Sequence, residues 1–164
     1  MNALTAMDSS AGLIHRRLIV PLKLQITQGV TPSALAWAIA AGVVSGIFPL
    51  LGTTSILGLA IGYVARLNQP VLHTFNWLVY PLQILAIPLF VRAGEFVVRA
   101  EPVPFSVVLL IERFRTDPMQ FTRDFGMSGV HGVVAWMIVG PMLALIIAAI
   151  ARPILESAAS RWKK

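Results

Sequence analysis

The chain has no cysteine among its 164 residues, which excludes disulfides, thiolate metal sites and cysteine nucleophiles and says little about compartment. Charge is also scarce. Asp, Glu, Lys and Arg make up 12% of the chain, against roughly 25% in soluble domains. None of them occurs over 24–65, 67–91 or 130–151, and each stretch exceeds the roughly 20 apolar residues that cross a bilayer core. The only histidines, His15, His73 and His131, lack metal-ligand spacing. No carboxylate falls inside an apolar stretch to act as general acid or base, and there is no P-loop or dinucleotide fingerprint. These absences argue against an enzyme, a metal site or any other cofactor. The net charge of +6 suits basic flanks on an anionic lipid surface, and no basic face interleaved with aromatics points to nucleic acid.

What is present is hydrophobic: 57% of the residues. The expected fold class is all-α, a single-domain helical integral membrane protein. Residues 1–28 form an N-terminal interfacial segment, where Leu13, Ile14, Leu18, Leu22 and Ile26 alternate with His15, Arg16, Arg17, Lys23 and Gln25. The first basic residues follow the polar run Asp8, Ser9, Ser10, so this segment is expected to be retained rather than cleaved as a signal peptide.

The membrane domain is placed at 29–152. Thr31 and Pro32 open a first helix, Ser33 to Phe48. Pro49 and Gly52 break it, and a second helix follows from Thr53 to Ala65. Small residues recur every fourth position on both sides of the break, at Ala34, Ala38, Gly42 and Gly46 and then at Thr54, Gly58 and Gly62, a pattern that lets helices approach closely in lipid. Segment 33–66 is either a re-entrant hairpin or one kinked span. A span at 71–91 carrying Pro81 and Pro88 comes next, and then a loop at 92–129. In the loop, Val107, Leu110, Ile111 and Phe114 mark an interfacial helix that Asp117-Pro118 ends. A last span at 130–151, with Gly140, Ala144 and Ala148 as another stripe, leads to a basic tail at 153–164.

Parity and charge favour the hairpin. Both tails and Arg66 then share one side, which holds eight basic residues, against five in the opposite loop. By the positive-inside rule that side is cytoplasmic.

The run Gly29-Val30-Thr31-Pro32, the segment Ala40-Ala41-Gly42-Val43-Val44-Ser45-Gly46-Ile47-Phe48-Pro49-Leu50-Leu51-Gly52, and Arg66-Leu67-Asn68-Gln69-Pro70 together resemble the bacterial membrane family named domain of unknown function 2062. The resemblance covers Gly29 to Gly94, with a looser match in the last span. That family carries an Asn-Pro-x-Thr element where this chain has Tyr80-Pro81-Leu82-Gln83. The proline is kept and both polar residues are changed, so a role of that Asn and Thr does not carry over. The resemblance implies a small multi-pass protein of the bacterial inner membrane, sometimes joined to glycosyltransferase domains, with no established activity.

The candidate site is Pro49, Gly52, Thr53, Thr54 and Ser55, where a broken helix presents unpaired backbone donors and hydroxyls; the bland alternative is a tight turn with locally satisfied hydroxyls. Arg66, with Asn68 and Gln69, would hold a phosphate at the cytoplasmic edge, or Arg66 is only an anchor. His73 and Asn76, one turn apart, form a polar pair facing the hairpin or a structural hydrogen-bonded one. Gln83 is expected to bond a neighbouring helix, and Arg92 to pair with Glu95. Trp77 and Trp136 are read as interfacial or packing aromatics, and His131 as interfacial. The function expected is binding or moving an anionic, lipid-linked phosphate, with membrane lipids and another copy or a membrane protein as partners. The alternative is a scaffold or accessory subunit for an envelope enzyme such as a glycosyltransferase, packing through Ala38, Gly42, Gly46, Gly58 and Gly62.

Overall fold

The structure, a computed structural model, describes residues 30–102 and 115–162 together with Val20 and Glu112. The N-terminal interfacial segment and Val107, Leu110, Ile111 and Phe114 of the expected loop helix lie outside the described residues. Among the described residues the chain is all-helical: α1 Pro32–Gly46, α2 Thr54–Val64, α3 Gln69–Leu78, α4 Tyr80–Val98 and α5 Pro118–Trp162.

Local chemistry sets the helix ends. The Thr31 hydroxyl accepts the Ala34 N–H at 3.2 Å, and Pro32 sits where no donor is needed. Asn68 caps α3 in the same way, accepting from Val71 N–H at 3.1 Å. Asp117 accepts from Met119 and Gln120 at the start of α5. Arg115 and Thr116 are helical and Asp117 is not, so Asp117-Pro118 ends the helix before it, as expected, and also begins a long one. The last helix runs well past 130–151 on both sides, because Pro141 and Pro153 are accommodated inside it. The expected span 71–91 is divided at Val79, two residues ahead of Pro81, and its second part extends to Val98 around an internal Pro88. Pro81 brings no N–H, so the first turn of α4 starts where that loss is harmless.

Two helices end in an unexpected way. Arg66 after α2 and Arg99 after α4 both adopt left-handed backbone, φ 53° and 56°. The bonds Leu67 N–H to Gly62 O at 2.8 Å and Ala100 N–H to Glu95 O at 2.9 Å close a Schellman turn over each. This conformation favours glycine, and an L side chain there costs about 1–2 kcal/mol.

α1 is the centre of the bundle. One side of it packs on α5, where Val44 lies against Gly140 and where Leu35, Ala36, Ala38 and Ile39 share a cluster with Leu155 and Ala159. On another side lies α3, with Gly42 against the Leu72 carbonyl and Gly46 against Asn76 and Val79. These pairs make α1 and α3 run in the same direction. α2 meets α3 through Gly62 with Gln69 and Gly58 with Leu72, which makes those two helices antiparallel. The path therefore reverses between α1 and α2, and Gly58 also faces Ser45 of α1. α4 packs on α5, where Gly94 is pressed against the His131 carbonyl and Gly132 lies beside Val91.

Beside an apolar core, several polar side chains are buried while many large apolar ones are exposed. Ser45 and Gln83 are 0% exposed and Asn76 1%, whereas Ile56 and Leu89 are 71% exposed and Phe96 85%. A water-soluble domain buries such side chains, and an apolar surface of this extent marks contact with lipid or another protein. Two helices, Tyr80–Val98 and the charge-poor part of α5, are long and apolar enough to cross a membrane.

Candidate functional site

The turn joining α1 to α2 and the side chains behind it concentrate the polar chemistry of the apolar half of the chain. α1 loses its helical donors as Pro49 approaches, and the freed carbonyls are met from other helices. The Phe48 N–H bonds Ser45 O, leaving Val44 O to the Trp136 indole N–H at 2.9 Å. Phe48 O accepts from the Gln83 amide at 2.8 Å. Phe48 and Trp136 also pack edge to face, with centroids 4.9 Å apart. The end of α1 is thus capped by α4 and α5.

Gln83 belongs to a row. Gln69, Asn76 and Gln83 are carboxamides spaced seven residues apart, and each donates its NH2 to the α1–α2 segment. Gln69 bonds Leu59 O at 3.1 Å; Asn76 bonds both Ser45 Oγ at 2.9 Å and Thr54 O at 3.2 Å; Gln83 bonds Phe48 O. A backbone carbonyl can only accept, so these contacts fix which end of each amide faces it. Ser45 in turn donates to Gly42 O at 3.2 Å. The oxygens of all three amides are buried with no hydrogen-bond partner. The row is an acceptor-lined seam, and its geometry spreads along the helices instead of converging on one point.

The predicted residues fall into separate places. Thr54 and Ser55 lie beside Asn76 and Trp77, the Trp77 indole donating to Ser55 Oγ at 3.2 Å. Pro49 is buried against Gly132, while Gly52 is exposed with φ 82°. The Thr53 hydroxyl turns back to Leu50 O at 2.9 Å, so α2 has no side-chain cap and no acidic residue in its first turn. Leu50 and Pro49 touch Gly129 and Gly132, about two turns into the charge-free stretch of α5, which begins after Asp124, and not half-way along it. Arg66 and Asn68 are not brought to the turn. They lie beyond the other end of α2, whose 11 residues separate them from it by about 16 Å.

His73 and Asn76 do not act as a pair. The His73 ring lies 6.4 Å from the Trp77 ring, and its Nδ1 is buried without a partner, while Asn76 bonds the α1–α2 segment. Glu95, 2% exposed, pairs with Arg92 at 2.8 Å. Ser45 and the seven-residue repeat of amides were not singled out from sequence; the repeat is a visible signal, and the burial of Ser45 is not. The small-residue stripes are taken up within the chain, since Gly42, Gly46, Gly58 and Gly62 all face α3 and Ala38 is fully buried. Among the described residues no three His, Asp or Glu side chains gather as a metal site would require.

No curated protein and no solved structure matches the chain. A family model does, across residues 16–163, and the chain belongs to that family, described as an uncharacterized protein conserved in bacteria, domain of unknown function 2062.

Proposed function

We propose that the chain is a multi-pass protein of the bacterial inner membrane with both tails cytoplasmic, and that it binds a lipid-linked phosphate at the start of α2. The observation that carries this is the start of α2, which no side chain caps and which the exposed Gly52 and Thr53 lead into, near one end of the charge-free stretch of α5. Free N–H groups and the positive end of the helix dipole attract phosphate oxygens. Membrane embedding is supported by the exposed apolar surface around a buried amide seam. In this reading α1 and α2 form a hairpin entered from the cytoplasm, α3 and α4 lead outward, and α5 returns. The turn then opens at the outer interface, not in mid-membrane, and a polar path across the bilayer would take a second copy to enclose. The chain has no catalytic role in this reading and uses no cofactor. The glycines through which the scaffold alternative would pack, Gly42, Gly46, Gly58 and Gly62, face α3, which favours the binding reading.

Trp77 makes the test direct, since its indole bonds Ser55 in that first turn. Protein in zwitterionic nanodiscs is titrated with a spin-labelled dialkyl phosphate and its tryptophan fluorescence followed. Saturable quenching that Trp77→Phe removes is expected, and quenching that Thr53→Asp leaves intact would sink the site. Single cysteines at Thr53, Arg66 and Glu101, labelled with an impermeant reagent, test the topology. Thr53 and Glu101 should react from one face and Arg66 from the other.

A further inference from the structure

At the opposite end of the bundle a groove of about 210 Å³ runs between the first turns of α1 and the second half of α5. The small residues Ala36, Ala148 and Ala149 leave the space open, and Trp37 and Leu145, 41% and 59% exposed, flank it. Its remaining lining is polar: Ser33 in the first turn of α1 and Arg152, the first charge after the charge-free stretch of α5. We infer that this groove holds one acyl chain of an anionic phospholipid, with the phosphate between Arg152 and the start of α1. The inference rests on the membrane reading above and is independent of the site at α2.

Three features select this occupant. The apolar part of the groove, small in volume and lined by Ala36, Trp37, Leu145, Ala148 and Ala149, suits a segment of a single acyl chain, which free phosphate lacks. The first turn of α1 contains no acidic residue, so its dipole end adds to the guanidinium instead of opposing it. Arg152 meets Glu156 through Nε at 2.8 Å, with 61% and 51% of the two side chains exposed. A guanidinium has further N–H donors beyond Nε, arranged to grip a phosphate. Glu156 is the built-in competitor, and a zwitterionic lipid brings an ammonium that Arg152 repels.

The experiment is native mass spectrometry of the full chain released from vesicles of phosphatidylcholine and phosphatidylglycerol in equal amounts. The native chain should retain phosphatidylglycerol selectively. Arg152→Gln should lower that retention roughly tenfold, as expected for losing a charge-assisted contact. Glu156→Gln should raise it severalfold, and Ala149→Leu, at an exposed position, should reduce retention of both lipids by filling the groove. Retention of both lipids in proportion to the mixture, or an Arg152→Gln chain behaving like the native one, would overturn the inference. Alkaline carbonate extraction of the same vesicles separates the two claims. Protein that is washed off refutes the membrane reading, whereas protein that stays and shows no lipid preference refutes the groove alone.

Discussion

α1 and α2 are made of nearly the same material, apolar residues around a stripe of small ones, yet ten of the fifteen residues of α1 are buried and only three of the eleven of α2. In α2 those three are Thr54, Gly58 and Gly62, the small stripe itself. The difference teaches that hydropathy does not decide what is inside in this chain. Close approach does. α2 is buried only where small residues let a neighbour come near, and its bulky side chains face outward, whereas α1, packed on several sides, buries Leu35, Ile39 and Val44 as well. In a membrane that arrangement is favourable, because lipid offers Leu and Ile as good a surroundings as a protein core.

The comparison breaks most visibly at Gly42. A Cβ there would run into the Leu72 carbonyl, which cannot move without the whole of α3. Gly42→Leu should therefore destabilise the purified protein by more than about 4 kcal/mol in a detergent unfolding assay. Gly62→Ala is the contrast, since the obstructing group is the flexible end of Gln69. Its clash is offset by the helix preference of alanine, and the change should stay within about 1 kcal/mol. If both substitutions proved equally harmful, the distinction between a central and a peripheral helix would collapse.

Next in size is the seam that ties the two helices to α3 and α4. Asn76→Leu removes two hydrogen bonds, to Ser45 Oγ and to the Thr54 carbonyl, so a loss of about 1–3 kcal/mol is expected in the same assay. Gln83→Met keeps the volume and loses only the bond to Phe48 O, which should cost about 1 kcal/mol.

The smallest effects concern helix ends, and two of them run the other way. Thr53→Asp supplies the cap that α2 lacks and should stabilise it by about 0.5–1 kcal/mol while its carboxylate repels phosphate. Arg66→Gly relieves a left-handed arginine and should raise stability by up to about 1 kcal/mol despite the lost side chain. Hydrogen exchange at the ends of α2 would localise both gains.

The sequence by itself determined that the chain is helical and apolar, where α1 starts, that Pro49 stops it, and which small residues form stripes. Each follows from local chemistry: a hydroxyl cap, a missing N–H, a four-residue period. It also displayed Gln69, Asn76 and Gln83 at equal spacing, though nothing local said that their amides would meet the backbone of α1 and α2. The Schellman turns at Arg66 and Arg99 were hidden, because the usual sign of such a turn is a glycine. Only the tertiary structure decided that Arg66 and Asn68 lie at the far end of α2 from the turn, that the turn sits near one end of the charge-free stretch, and that both glycine stripes face α3. Uniformly apolar helices carry no gradient of burial in their composition. Their sides are assigned by which backbones can approach and which carbonyls still need a donor, and both are properties of helices already assembled.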